Sequence, residues 1–202
     1  LVNSAHLPRT KNNDILFVSG IDDTLLDSRY QLSAYSRIEL NQMIEQGAHF
    51  TVSTIRTPAS LMEVMQGVKL KYPVIAMDGA VLYDMKENSY LMKYQMSENQ
   101  AKIISSFLDG EGIRYFTNCV VDDLLVIYYD RIESEVHRKV YDRRRKSPYR
   151  NYVQKTQPVC ENVVYLYLIE QREVTQKLYE KLMQQPWITD FRVAYHDSVV
   201  HP

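Results

Sequence analysis

The sequence predicts an α/β protein: a Rossmann-like layer of parallel strands joined by crossover helices, followed by a second unit of α+β type. Three observations point this way. Short apolar, strand-favouring runs at 15–19, 49–53 and 73–77 alternate with two helix-length segments, the rhythm of a parallel sheet. That rhythm breaks at Asp78-Gly79, a turn dipeptide, and the segments beyond it mix helices with hairpin-like strand pairs. With 45% hydrophobic residues in 202, the chain has enough apolar surface for one large domain or two small ones.

Each element has a local cause. Ser33 offers an N-cap to a first helix whose apolar side carries Ile38, Met43 and Ile44, and Gly47 ends it. Residues 58–67 read as a second helix, opened by Pro58, whose missing N–H costs nothing in a first turn. Strand-like 81–83 and 90–94 flank a polar turn at Glu87-Asn88-Ser89 and suggest a hairpin leaving the first layer. The second unit is expected to be entered near Asp84. It runs through a helix at 98–108, strands at 114–117 and 124–129, and a helix at 132–145. A strand at 163–169, a helix at 174–184 and a strand at 191–195 complete it. Residues 147–162, with two prolines and many polar side chains, read as a long loop. The expected organisation is therefore 1–84 for the first layer, 85–195 for the second unit, and 196–202 as the start of a return to the first.

Composition excludes several classes. Formal net charge is -1, from 24 basic and 25 acidic side chains, so no overall field favours nucleic acid or a membrane surface. The basic run Arg138, Lys139, Arg143, Arg144, Arg145, Lys146 and Arg150 reads as a solvated helix face opposite Ile132, Val136 and Val140, with His137 at the surface. The tyrosines at 128–129 and 165–167 read as strand and core residues. Cys119 and Cys160 form neither a disulfide framework nor a Cys-x-x-Cys pair, and residues 1–13 carry no signal-peptide apolar stretch, so a cytoplasmic setting is expected. No apolar run reaches the roughly 18–20 residues of a membrane span. Neither a Gly-x-Gly-x-x-Gly nor a P-loop occurs among the 6 glycines.

The chemistry is concentrated after the first strand. Gly20-Ile21-Asp22-Asp23-Thr24-Leu25-Leu26 places two carboxylates and a hydroxyl where open α/β sheets bind ligands. The segment resembles the first motif of the haloacid dehalogenase superfamily, hydrophobic strand then Asp-x-Asp-x-Thr, in its Cof-like form. Phe50-Thr51-Val52-Ser53-Thr54-Ile55-Arg56-Thr57-Pro58 resembles the second motif, and Pro73-Val74-Ile75-Ala76-Met77-Asp78-Gly79-Ala80 resembles the third-strand segment that usually reads Asn-Gly-Ala, with Asp78 in place of Asn. The resemblance implies a parallel-sheet core with an inserted α+β cap. It also implies magnesium-dependent hydrolysis of small phosphate monoesters through an aspartyl-phosphate. By position, Asp22 is the general acid and base, and its backbone carbonyl a metal ligand. Thr54 and Arg56 are the phosphate-binding residues, while Asp23, Thr24, Asp78 and Gly79 line the cleft.

Two departures from the pattern set the functional expectation. Gly20 stands where the family has its nucleophilic Asp, and Asp23 stands where it has Gly. The family's Lys and Gly-Asp-x-x-x-Asp segment, which follow the cap, do not occur in the 202 residues. The chain is therefore expected to be catalytically silent, with magnesium binding weak or absent and a small phosphorylated metabolite as its partner. Two other readings stay open at this level. One is a non-catalytic or regulatory phospho-ligand binder. The other is a receiver-type phosphoacceptor, suggested by acids after the first strand and Asp78 after the third.

Overall fold

The computed structural model describes residues 15–195. The chain divides into two compact units between Met92 and Lys93. In the first, β1 (Leu16–Ser19) and β2 (His49–Val52) pair in parallel, with Leu16 opposite His49 and Ser19 opposite Val52. A parallel bridge between Ser53 and Ile75 carries the pairing on to β3 (Val74–Ala76), and β4 (Val81–Asp84) and β5 (Ser89–Lys93) follow it in the order β3-β4-β5. Backbone pairing thus ties the hairpin to the first layer, and the division between the units falls at the last residue of β5.

The first helix starts and stops where the sequence predicts. The Ser33 hydroxyl accepts the Ser36 N–H at 3.0 Å and caps α1 (Ala34–Glu45). At its end Gly47 takes φ 98°, its N–H bonds to Ile44 O and Ala48 N–H to Met43 O, the paired bonds of a Schellman stop. The buried stripe of α1 is Leu40 and Ile44, one turn apart. Ile38, expected on that side, lies more than about 100° around the helix from it, and Met43 about 60° from Leu40 and about 100° from Ile44; the two are 55% and 51% exposed. Thr57 caps α2 (Pro58–Val64), which ends three residues short of its predicted end at Gly67.

β1 differs from expectation more sharply. Its apolar run reads as a strand of the parallel layer, yet among the described residues it pairs only with β2, and Leu16, Phe17 and Val18 are 49%, 56% and 50% exposed. Continuous apolar runs belong to parallel strands covered on both faces. In the described residues, β2 takes the place between two neighbours.

The second unit is built on a four-stranded sheet in the order β8-β7-β6-β9. Its elements are α3 (Glu98–Gly110), β6 (Phe116–Val121), β7 (Leu124–Tyr129), α4 (Glu135–Arg144), β8 (Asn151–Gln154), β9 (Val163–Tyr167) and α5 (Arg172–Met183). Ile104 and Leu108 of α3 pack on Leu178 of α5, and Ala101 packs on Cys119 and Val163 of the sheet. Phe116 meets a different set of rings: Tyr167 stacked at 5.0 Å and His137 of α4 at 5.6 Å. Cys119 is fully buried, and burial pushes its thiol up to about 12, far from any reactive thiolate. Among the described residues no helix is long and apolar enough to cross a membrane.

Five local expectations are corrected here. The strand predicted at 114–117 is Phe116–Val121, because Asp122, at φ 51°, makes the turn and lets Val121 pair with Leu124. The predicted loop at 147–162 contains β8, which pairs in parallel with β7 after α4 as crossover. Residues 191–195 form no strand, and the segment expected as the return to the first layer, 196–202, lies outside the described residues. Helix α4 starts only after Ser134, whose hydroxyl accepts the His137 N–H, and it turns His137 and Val140 inward, leaving His137 1% exposed rather than at the surface.

The burial of His137 has a pH signature. Desolvation lowers its pKa, against the opposing pull of Glu170, 3.5 Å away, and of a backbone hydrogen bond at Ile169. The unfolded chain therefore takes up the proton first as pH falls. This contribution to stability is whole above about 6.5 and is lost as pH drops through the lower, folded value. Urea unfolding between about pH 7.5 and about pH 5.5 should show the parent losing stability more steeply than His137→Gln. Identical slopes would contradict the assignment.

Candidate functional site

Parallel pairing puts the carboxyl ends of β1 and β2 side by side: Ser53 N–H donates to Ser19 O at 2.9 Å, and Thr54 N–H to Ile75 O at 2.9 Å. The segments that follow, 20–24 and 54–56, therefore emerge at the same end of the sheet. After Gly20 the chain tightens around Ile21, which is 1% exposed and whose carbonyl accepts Leu25 N–H at 3.0 Å and Leu26 N–H at 3.2 Å. This turn requires a left-handed residue, and Asp23 supplies it at φ 56°. A side chain there is strained, so Asp23→Gly should stabilise the chain by up to about 1 kcal/mol, net of the extra freedom glycine gives the unfolded state. A urea midpoint that falls would contradict this.

The turn brings Asp22 to Arg56, 34 residues further on. Arg56 Nε donates to Asp22 Oδ1 at 3.1 Å and Oδ2 at 2.9 Å, and Nη2 donates to Oδ1. Arg56 Nη1 donates to Ser60 Oγ at 3.1 Å, one turn along in α2. The two side chains of the pair are 21% and 32% exposed, so its net stabilisation is modest, on the order of 1 kcal/mol. Geometry is its main consequence, because a planar fork fixes both partners. While the fork is closed, the guanidinium and the carboxylate satisfy one another. Thr54 is buried at 8%, and its hydroxyl oxygen accepts Arg56 N–H at 3.1 Å, which leaves the hydroxyl proton to donate elsewhere.

Residues 17–197 match the family model of haloacid dehalogenase-like hydrolases. The chain belongs to that family. A putative phosphatase of Mycoplasma pneumoniae is 32% identical over 94 residues, 44% of this chain and 32% of that protein. Phosphatase YwpJ of Bacillus subtilis is 29% identical over 127 residues, 59% of this chain and 44% of that protein. The crystal structure of a haloacid dehalogenase-like hydrolase from Bacteroides thetaiotaomicron superposes with a TM-score of 0.66 at 11% identity, over 84% of this chain and 63% of that one. The matches thus cover less than half of these curated relatives and under two thirds of the solved structure.

The other residues that the sequence singled out lie in the same segments. Gly20 is exposed at the end of β1, outside the left-handed region, and a Cβ there would meet Thr24 Oγ1 at 3.1 Å, so a side chain requires a small shift of Thr24. Thr24 Oγ1 donates to the Asp22 carbonyl at 3.3 Å. Asp78 and Gly79 sit in the turn after β3, where Asp78 N–H donates to Thr54 O at 3.1 Å. Magnesium asks for several oxygen ligands in near-octahedral array. Here Gly20 offers no carboxylate, the Asp22 carboxylate is taken up by Arg56, its carbonyl receives Thr24, and no group of three or more His, Cys, Asp and Glu lies together among the described residues. The described residues do not fit the ion. Ser60 and Met77, which hold Arg56 by side chain and backbone, were not singled out in the sequence; the spacing of Ser60 four residues after Arg56, on a helix opened by Pro58, is the signal that points to it.

Proposed function

We propose that this haloacid dehalogenase-like chain recognises small phosphate monoesters but does not hydrolyse them. The family reaction needs a carboxylate that attacks phosphorus, and the observation that carries this reading is Gly20 at the nucleophile position, where no side chain exists to attack. What supports recognition is the set of groups at the shared end of β1 and β2: the Thr54 hydroxyl proton and the Arg56 guanidinium, a fork that suits phosphate as well as carboxylate. A phosphate dianion would compete with Asp22 for Arg56. The partner is a small phosphorylated metabolite rather than nucleic acid or a membrane, in keeping with a net charge of -1, and the setting is the cytoplasm.

Calorimetric titration with orthophosphate tests recognition. The parent chain should bind it, and Arg56→Met and Thr54→Val should each weaken binding by about 10-fold, the worth of one charge-assisted or buried hydrogen bond. Equal affinity in parent and both variants would place the anion elsewhere and remove the reading.

A further inference from the structure

Three consecutive residues after β3 have positive φ: Met77 at 53°, Asp78 at 56° and Gly79 at 86°. Two of them follow from the hairpin that joins β3 to β4. Asp78-Gly79, closed by Ala80 N–H on Met77 O at 3.1 Å, is a left-handed turn for which Asp-Gly is a favoured pair. Met77 is not explained this way. A long side chain seldom adopts φ above zero, and this one is also buried at 3%.

The hydrogen bonds supply the reason. In an extended strand, successive N–H groups point to opposite edges. Here two successive N–H groups point the same way: Met77 N–H donates to Arg56 O at 2.9 Å and Asp78 N–H to Thr54 O at 3.1 Å. The left-handed backbone at Met77 allows both to grip the loop on either side of Ile55, and strain of this kind gathers where a site must be held in place. We propose that the Met77-Asp78-Gly79 turn is the positioning element of the candidate phosphate site. It clamps the backbone of 54–56 and thereby aims Thr54 Oγ1 and the Arg56 fork. As a statement about phosphate this rests on the proposed function; as a statement about the fork it does not.

Gly79 gives a clean test, because a Cβ there meets nothing within 4 Å, so a substitution acts chiefly through its φ of 86°. Valine, being β-branched, resists left-handed φ, whereas asparagine tolerates it. In the isotopically labelled parent chain, proton exchange at Arg56 Nε–H and at the Met77 and Asp78 amides should be slow. Gly79→Val should speed it by about 10-fold and weaken orthophosphate binding by a similar factor, while Gly79→Asn stays within about 3-fold of the parent. Exchange in α1 should not change, which separates positioning from general loosening. Unchanged exchange at Arg56 in a folded Gly79→Val chain, or equal acceleration throughout α1, would overturn the proposal. If Gly79→Val does not fold, Gly79→Ala, the milder strain, decides by the same comparison. A parent that binds no orthophosphate would sink the proposed function, and the exchange data would still decide the clamp.

Discussion

Aspartate introduced at position 20 of this chain is expected to leave p-nitrophenyl phosphate unhydrolysed, even with magnesium present. The Gly20 backbone accepts an L side chain, and the shift asked of Thr24 is small, so the new carboxylate should reach its place. It would still stand beside an Asp22 bound by Arg56, and no group of three or more His, Cys, Asp and Glu gathers to hold a cation among the described residues. The same Gly20→Asp change in a chimera that appends the lysine and Gly-Asp-x-x-x-Asp segment of a longer relative should restore turnover. Loss of a nucleophile is worth about 10⁶ in rate, so the chimera with and without Gly20→Asp should differ by several orders of magnitude. Equal activity in the two chimeras would show that position 20 is not where attack begins.

The largest expected stability effect lies in the second unit. Phe116 is 2% exposed in the inner strand β6, with the Tyr167, His137, Tyr152 and Tyr129 rings 5.0, 5.6, 6.1 and 6.2 Å from its own. Phe116→Ala removes the ring on which these contacts converge, and should cost about 3–5 kcal/mol, because the surrounding sheet and helix cannot collapse onto the cavity. Phe116→Leu keeps most of the volume and should cost about 1.5 kcal/mol or less. Urea unfolding followed through the near-ultraviolet tyrosine signal measures both. A cost below about 1 kcal/mol for the alanine variant would show that the ring cluster is not the core of this unit.

Where local chemistry decides structure, the sequence is legible. Ser33 and Gly47 bound α1 because a hydroxyl cap and a left-handed glycine act within a few residues, and Pro58 opens α2 for the same reason. The parallel pairing of β1 with β2, and with it the meeting of 20–24 and 54–56, follows from the strand-helix-strand rhythm. What resists reading depends on distant partners. Asn151–Gln154 lacks an apolar run of its own and becomes a strand only because α4 returns the chain beside β7. His137 looks like one polar residue among many until the facing of α4 is fixed by Val140 and the rings of the sheet. The motif residues Asp22, Thr54 and Arg56 stand out by type and spacing. Their closure into one fork, and the grip of Met77 and Asp78 on its backbone, come from contacts between segments more than 20 residues apart.

The central claim is that this haloacid dehalogenase-like chain keeps a phosphate-recognition site without the means to cleave a phosphate ester. The most direct measurement is release of p-nitrophenol from p-nitrophenyl phosphate by the unmodified chain, in magnesium, beside Asp22→Asn. The account predicts no release above the buffer rate from either protein. Release by the unmodified chain that disappears in Asp22→Asn would contradict it, because Asp22 or a neighbour would then be doing the work assigned to the aspartate that Gly20 replaces.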